Sequence, residues 1–341
     1  MKIAVVNSSF RGMKPADRIY NLACDRIATL HRAMGDEVIE GEWQPAFMQE
    51  CVKFYFSVIF TWNIPAMIQA VQQVQSWGGR KIEIGGPAAT FMHRYIEEKT
   101  EVKPHIGLDN RFERVRGNFK MTFTSRGCVH DCAFCGVKKV EPKAIEYEDY
   151  GLSPMISDNN ILSTSPLHQL RFINKYAAWG KKVDINSGFD VRFFQERDYD
   201  MYSQLNIFCW RFAFDSMDVW QDVWRVGTLM RSKGLDRHHC QFYCLIGFPG
   251  QSPEDARFRL DAIRLLGHQP YPMRFIPINS LTHKYVAPGW TEEELFRFQT
   301  YYQTPNLWMA TKFEDFRPGK NIVKIPDNQI PLEAGEGWLV E

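Results

Sequence analysis

Short apolar runs alternate with longer stretches of helical periodicity along almost the whole chain of 341 residues. KIAVVN (2–7), DEVIEG (36–41), FYFSVIF (54–60) and KIEIGGPAAT (81–90) read as strands, the last running into a Gly-Pro turn. Between them, 17–35 carries a helical pattern stopped by Gly35. The pattern over 65–79 opens on Pro65 and closes on Gly78 and Gly79, the residues that helix ends prefer. These β-α repeats predict a small doubly wound, Rossmann-like sheet.

A polar, charged stretch follows (97–117), and a domain boundary is expected near Gly117. The rhythm then restarts. MTFTS (121–125), NILSTS (160–165), KVDINS (182–187), NIFCWRFAFDS (206–216), CQFYCLIGF (240–248) and MRFIPIN (273–279) read as six strands. Helical patterns lie between most of them. In SPEDARFRLDAIRLLG, Ser252 is the expected N-cap, Pro253 the first helical residue and Gly267 the stop. Six such units predict a partial (β/α)6 barrel of the TIM type, whose chemistry sits at the C-terminal ends of the strands. The expected fold class is α/β, in three parts: a Rossmann-like domain (1–117), the partial barrel (118–285) and a C-terminal helical and irregular extension (286–341). The extension has one clear helix, TEEELFRFQTYYQ, and a Pro/Gly-rich end. Its aromatic residues would close the mouth of the barrel, form an interface, or pack one helix face.

Composition narrows this picture in two ways. Lys+Arg number 41 and Asp+Glu 40, so no global field draws the chain to nucleic acid or to an anionic surface. The longest apolar run, Phe54 to Trp62, is too short to span a bilayer as a helix, and the N-terminus lacks a signal-peptide pattern. A cytoplasmic protein with no membrane or nucleic-acid partner is expected. Eight Cys are too sparse for a disulfide scaffold, which leaves clustered thiols as metal ligands or catalytic groups.

Three of those thiols lie together. Cys128, Cys132 and Cys135 form C-x3-C-x2-C directly after MTFTS, in a polar loop flanked by Gly127 and Gly136. Incidental buried thiols are one reading. Zinc is a second, but it wants four ligands. His130 is too close in sequence to Cys128 to share the ion easily, and Cys240 and Cys244 would stand roughly 13 Å apart on a strand. An iron–sulfur cluster is the third reading. Three thiolates leave one iron of a four-iron cluster open to a small molecule.

The stretch CVHDCAFC (128–135) resembles the signature of the radical S-adenosylmethionine (SAM) superfamily, C-x3-C-x-aromatic-C, with Phe134 at the aromatic position. The resemblance covers roughly 118–285. It implies a [4Fe–4S] cluster held by the three cysteines, with SAM bound at the open iron and an external electron donor of the flavodoxin or ferredoxin type. Reductive cleavage would yield methionine and a 5′-deoxyadenosyl radical that takes hydrogen from a small-molecule or otherwise unidentified substrate. It further implies SAM contacts at the strand ends. Many relatives hold the SAM amino group with a Gly-Gly-Glu at the second strand. That motif is absent here, and Asp158, Asn159, Asn160, Ser163 and Ser165 are the acceptors available. Asn186 ends the third strand, and Arg192 beyond it suits the SAM carboxylate. Asp215 stands where relatives carry Glu and suits the ribose hydroxyls. Gly247 in GFPG and Ile276 would pass backbone along the adenosine.

The N-terminal unit resembles the cobalamin-binding domain of one radical SAM subgroup. Its usual Asp-x-His-x-x-Gly loop is missing, and His31, inside a helix, is the only His before Met67. The fold without cobalamin is therefore expected, with a cobalamin-dependent methyltransferase as one alternative and an Fe–S or zinc-stabilised interaction protein as another. Cys209, Cys240 and Cys244 fall in expected strands, so no second cluster is expected.

Overall fold

A computed structural model of the chain describes residues 1–7 and 20–318. Four strands open the fold: β1 (Lys2–Asn7), β2 (Glu37–Gly41), β3 (Lys53–Ser57) and β4 (Lys81–Gly85), all parallel in the order β2-β1-β3-β4. The helices of this part are α1 (Leu22–Ala33), α2 (Pro45–Met48), α3 (Ile64–Ser76), α4 (Pro87–Phe91), α5 (His93–Thr100) and α6 (Asn110–Glu113). Alternation along the strands sends side chains to two faces. Ala4, Val6, Phe54 and Phe56 pack with Ile64, Met67 and Val71 on one. Ile3, Val5 and Tyr55 pack with Cys24, Ile27 and Ala28 of α1 and with Phe112 on the other. Both faces are covered, which is why the central strands β1 and β3 carry continuous apolar runs, while the edge strands β2 and β4 mix apolar and charged residues. Of the helix expected over 17–35, residues 17–19 lie outside the described residues.

The second part begins with β5 (Met121–Thr122) and a hairpin-like pair, β6 (Ser125–Arg126) antiparallel to β7 (Ile145–Glu146), which flanks α7 (Val137–Val140). There follow β8 (Met155–Ile156), α8 (Pro166–Trp179), β9 (Asp184–Ile185), α9 (Glu196–Tyr202), β10 (Trp210–Ala213), α10 (Trp220–Ser232), β11 (Cys240–Ile246), α11 (Pro253–Leu265), β12 (Gln269–Arg274), α12 (Glu292–Gln303) and α13 (Pro305–Ala310). The parallel sheets β5-β8-β9 and β10-β11-β12 are joined by a parallel bridge between Val183 and Ile207.

Strand alternation also sorts this sheet. Phe212, Cys240, Phe242, Cys244 and Ile246 join the apolar cluster under the helices. On the opposite side chains Arg211 pairs with Asp184 at 2.8 Å and donates to Gln241 and Tyr243. That cluster runs from Tyr150 to Phe316. The aromatic C-terminal segment therefore contributes Leu295, Phe298, Tyr301, Tyr302, Phe313 and Phe316 to the same core, packing one face of α12 on β12. Residues 319–341 of the expected extension lie outside the described residues.

The N-cap read from the sequence at Ser252 is present, accepting from Asp255 N–H. The structure adds two more: Ser165 accepts from His168 N–H, and Thr291 closes a capping box with Glu294. Strand limits differ from expectation. NILSTS (160–165) is not a strand: the second strand is Met155–Ile156, and 161–163 form a 3-10 turn that delivers Ser165 to its cap. Four short polar residues in six favour local side-chain bonds over a ladder. MTFTS (121–125) divides into β5 and the turned-away β6, and the sixth strand lies earlier than 273–279.

Buried charges join the two parts. Glu113 of α6 accepts from Arg26 of α1 at 2.9 Å, from Arg126 of β6 at 3.0 Å and from Tyr147 at 3.0 Å. Thr61 donates to Ser280 O at 2.5 Å, and Trp62 meets His283 with ring centroids 4.6 Å apart.

Candidate functional site

The cysteine loop leaves β6 under tight control. Gly127 has φ +81, and a Cβ there would fall 2.6 Å from Lys143 O, so only glycine fits. Its N–H donates to Glu141 at 2.7 Å, and the same carboxylate pairs with Arg126 at 3.0 Å and accepts from Asn159 at 2.5 Å. At the loop's far end, a Cβ on Gly136 would lie 2.4 Å from the Phe91 ring of α4. The loop is thus seated against the N-terminal part. None of the three thiols is in a disulfide; Cys128 and Cys132 are half-buried and Cys135 is exposed. Burial pushes the Cys132 thiol up, against the pull of nearby Arg192, and burial likewise raises Cys135. Both feel the charges of Cys128 and Asp215, so thiols and carboxylate share one neighbourhood.

Asp190, two residues past Gly188, gathers the ends of three strands. It accepts from His130 of the cysteine loop at 2.7 Å, from Asn160 Nδ2 at 2.8 Å and from Arg192 Nε at 2.7 Å. Burial raises its carboxyl, but Arg192 outweighs this and holds it below the ordinary range. His130 stacks on Phe193, with centroids 5.3 Å apart. Cys128 Sγ accepts from His130 N–H at 3.4 Å, and Asn160 Nδ2 lies 3.8 Å from the same sulfur.

The expected site residues fall at the following places. Phe134 meets Phe248 edge-on at 6.0 Å, and Phe248 meets Phe275 at 4.9 Å, so the aromatic residue of the cysteine loop touches the turn after β11. Gly247 opens that turn, and Ile276 lies just past β12. Asp215 follows β10, accepts from Leu245 N–H at 2.8 Å, and is raised by burial. Arg192 stands between Asp190 and Cys132. Asn186 follows β9 and lines a cavity described below. Ser163 donates to Asn160 O at 2.8 Å. Ser165 is exposed, caps α8 and donates to Glu146 at 2.7 Å, so its hydroxyl is engaged away from the thiols. Asp158 is fully engaged too: it accepts from Thr124 N–H at 2.6 Å and from the Thr124 and Ser125 hydroxyls.

Sequence reading missed Asp190 and Glu141. The one available signal for Asp190 was its spacing, two residues before Arg192, which permits the turn in which its side chain accepts Arg192 N–H at 3.1 Å. Among the described residues, no three His, Cys, Asp or Glu side chains converge as a single ion requires. Around one zinc, sulfur atoms would approach to roughly 4 Å.

A cavity of about 710 Å³ lies between the C-terminal ends of β3 and β4 and the strands β5, β8 and β9. Ser57, Gly85, Gly86, Phe123, Ser157 and Asn186 are among its lining residues.

No family model matches the chain, and no curated protein matches it. Among solved structures, its fold is similar to that of a radical S-adenosylmethionine methyltransferase, TsrM, from Kitasatospora setae, determined with tryptophan substrate and a SAM analog (aza-SAM) bound. The TM-score is 0.57 at 12% identity, over 82% of this chain and 75% of that one. The chain therefore has a mixed α/β fold with parallel sheets of the TsrM kind. None of the described helices is long and apolar enough to cross a membrane.

Proposed function

We propose that the chain is a radical SAM enzyme built from a Rossmann-like domain (1–117), a partial (β/α)6 barrel (118–285) and a C-terminal helical segment. The observation that carries this reading is the three free thiols on one loop, set at a strand end beside Asp190, Arg192 and Asp215. The donor set fits a cluster better than a lone ion. Each thiol comes from a different point of a polar loop, and three thiolates leave one iron of a four-iron cluster open to a ligand. Cys128, Cys132 and Cys135 would hold a [4Fe–4S] cluster, and SAM would bind at its open iron. When bound, the pair supplies reductive cleavage of SAM to methionine and a hydrogen-abstracting 5′-deoxyadenosyl radical, with the electron from an external one-electron donor.

The chain's own residues bind and orient. Gly127 and Glu141 fix the loop's entry. Asp190 ties it to the ends of β8 and β9. Arg192 offers a guanidinium beside Cys132, where a carboxylate of the ligand would dock. Asp215, held by Leu245 N–H, presents an acceptor to sugar hydroxyls. Phe134 and Phe248 wall the site, which keeps water from a reactive radical. Anaerobic reconstitution with iron and sulfide tests the reading. The wild type should turn brown and form 5′-deoxyadenosine from SAM under strong reductant, and a Cys132→Ala chain should not. A colourless wild type, or a brown one that cleaves no SAM, refutes it.

A second reading, a cobalamin-dependent methyltransferase, is favoured by the cavity of about 710 Å³ at the C-terminal ends of β3 and β4, the place where open parallel sheets bind their ligands. The similar fold of a methyltransferase supports it. Gly85, Gly86 and Ser57 would then hold the cofactor's edge. A cobalamin absorption spectrum that stays with the protein after incubation and gel filtration separates this reading from the first.

A further inference from the structure

The functional reading needs an electron from outside the chain, and the cysteine loop has an edge that faces outward. Val129, Asp131, Ala133 and Cys135 are exposed, and the residues between them are half-buried. Lysines stand at both ends of that edge. Lys138 and Lys139 belong to α7, directly after the loop. Lys143 sits at the other end: its carbonyl lies 2.6 Å from where a Cβ on Gly127 would be, next to Cys128. Val140 of α7 lines the cavity, while Lys139 and Lys143 are exposed and Lys138 is half-buried. Among the described residues none of the three lysines has an ion-pair or aromatic partner. Lys2, Lys53 and Lys233, by contrast, pair with Glu50, Glu83 and Glu196. The acids nearby do not neutralise them. Glu141 is turned onto Arg126, Gly127 N–H and Asn159, and Glu146 onto Ser165. Asp131 is the remaining acid between Cys128 and Glu146. The outer edge of the loop is therefore a basic surface on a chain whose net charge is only +1.

We propose that this edge docks an acidic one-electron carrier protein, one that brings a redox centre ringed by carboxylates up to the loop; this rests on the radical SAM reading above. One electron passes from the carrier's reduced centre to the cluster. The carrier is oxidised by one electron, the cluster is reduced by one, and no bond or proton moves. Three arguments choose the partner. Electron transfer weakens steeply with distance, so the carrier must meet the surface beside the thiols rather than a remote face. Unpaired cations around small exposed residues such as Val129 and Ala133 suit the small, electrostatically steered interface of a redox encounter. Nucleic acid fits less well, because three lysines neutralise too few phosphates to hold a strand at physiological salt. Lys138, Lys139 and Lys143 are docking residues, with no part in holding SAM or the cluster.

The test uses the reconstituted full-length protein and, as probe, an acidic [2Fe–2S] ferredoxin. Stopped-flow absorbance at low salt gives the second-order rate constant for reduction of the cluster by the reduced ferredoxin. Lys138→Glu/Lys139→Glu should lower it about tenfold or more, and Lys143→Glu should lower it by a smaller factor. The difference from wild type should close at about 1 M salt, where the screening length is about 3 Å. Lys181→Glu/Lys182→Glu changes the net charge equally but lies just before β9, at the opposite end of the barrel strands, and should stay within about twofold of wild type. A photoreduced deazaflavin, which has no protein surface to dock, should reduce every variant at the wild-type rate, with equal iron and sulfide content. Equal slowing by both double variants reduces the effect to net charge and overturns the proposal. So does no slowing by either, slowing with the deazaflavin as well, or a wild type that the deazaflavin reduces and the ferredoxin does not. Retention of a single-stranded oligonucleotide by the lysines, with the ferredoxin rate unchanged in their variants, assigns the surface to nucleic acid and overturns it too. A wild type that takes up no iron and sulfide refutes instead the functional reading on which the proposal stands.

Discussion

Arg259 of α11 is 1% exposed, yet no carboxylate lies within ion-pair distance of it among the described residues. Its guanidinium instead donates to Phe214 O at 2.8 Å, Leu245 O at 3.0 Å, Gln251 Oε1 at 3.0 Å and Cys244 Sγ at 3.0 Å. It thereby ties the end of β10, next to Asp215, to β11 and to the turn that follows Gly247. Gln251 in turn donates to Asp215 O at 2.7 Å, and its own carbonyl accepts from Trp290 Nε1 at 2.8 Å. Arg259→Met keeps much of the apolar stem and removes every donor. Each of three buried oxygen acceptors then loses a bond to a charged group, at about 1–3 kcal/mol apiece. Against that sum stands the relief of no longer burying a guanidinium, itself several kcal/mol. The net expectation is a loss of about 3 kcal/mol. Urea unfolding of the variant at neutral pH should show a lowered midpoint with an unchanged slope, and the melting temperature should fall by about 4 °C. Arg259→Lys, with fewer donors and no fork, should recover only part of this. A Met variant within about 1 kcal/mol of wild type would refute the view that these bonds brace the strand ends.

Other outcomes follow from the same structure. Iodoacetamide applied to the native, metal-free protein should label Cys135 first, then Cys128 and Cys132. Cys24, Cys51, Cys209, Cys240 and Cys244 are buried, with burial pushing Cys209 up to about 11 and Cys244 up to about 12. Mass spectrometry should therefore count three adducts before denaturation and eight after it; early modification of Cys244 would contradict the buried strand face. Gly127→Ala places a Cβ 2.6 Å from Lys143 O at a positive φ, and should lower iron retention after reconstitution by tenfold or more, while Gly35→Ala, with open space around it, should not. Burial raises the Glu113 carboxyl, but Arg126 and Arg26 outweigh it and hold it below the usual range. Its contribution to stability is therefore present above the unfolded carboxyl's pKa, near 4.3, and is lost as pH falls from there through the folded value. Glu113→Gln should cost on the order of 2–4 kcal/mol at pH 7 and show a shallower loss below about pH 4.5 than the wild type; parallel stability curves would count against the junction.

The sequence by itself determined the features whose causes are local. Cysteine spacing, the glycines around it and the cap at Ser252 are short-range facts of covalent geometry and hydrogen bonding, and they are legible residue by residue. The apolar runs of β1 and β3 are legible for a similar reason, since a strand covered on both faces must be apolar throughout. Where cause lies at a distance, reading along the chain failed. NILSTS (160–165) was expected to be a strand by its place in the rhythm, but its hydroxyls and amide bond locally and to Glu146 and Asp190, and the ladder falls at Met155–Ile156. Nothing in the chain's order links Asp190 with His130, or Glu113 with Arg26 and Arg126, residues 60, 87 and 13 positions apart. Such ties exist only once the strands are side by side, because a carboxylate gains from a cation or an amide only within a few ångström. The tertiary structure likewise decided which side chains after β8 are engaged, since Asp158 meets Thr124 and Ser125, Asn159 meets Glu141 and Ser165 meets Glu146 only once the chain has folded back on itself.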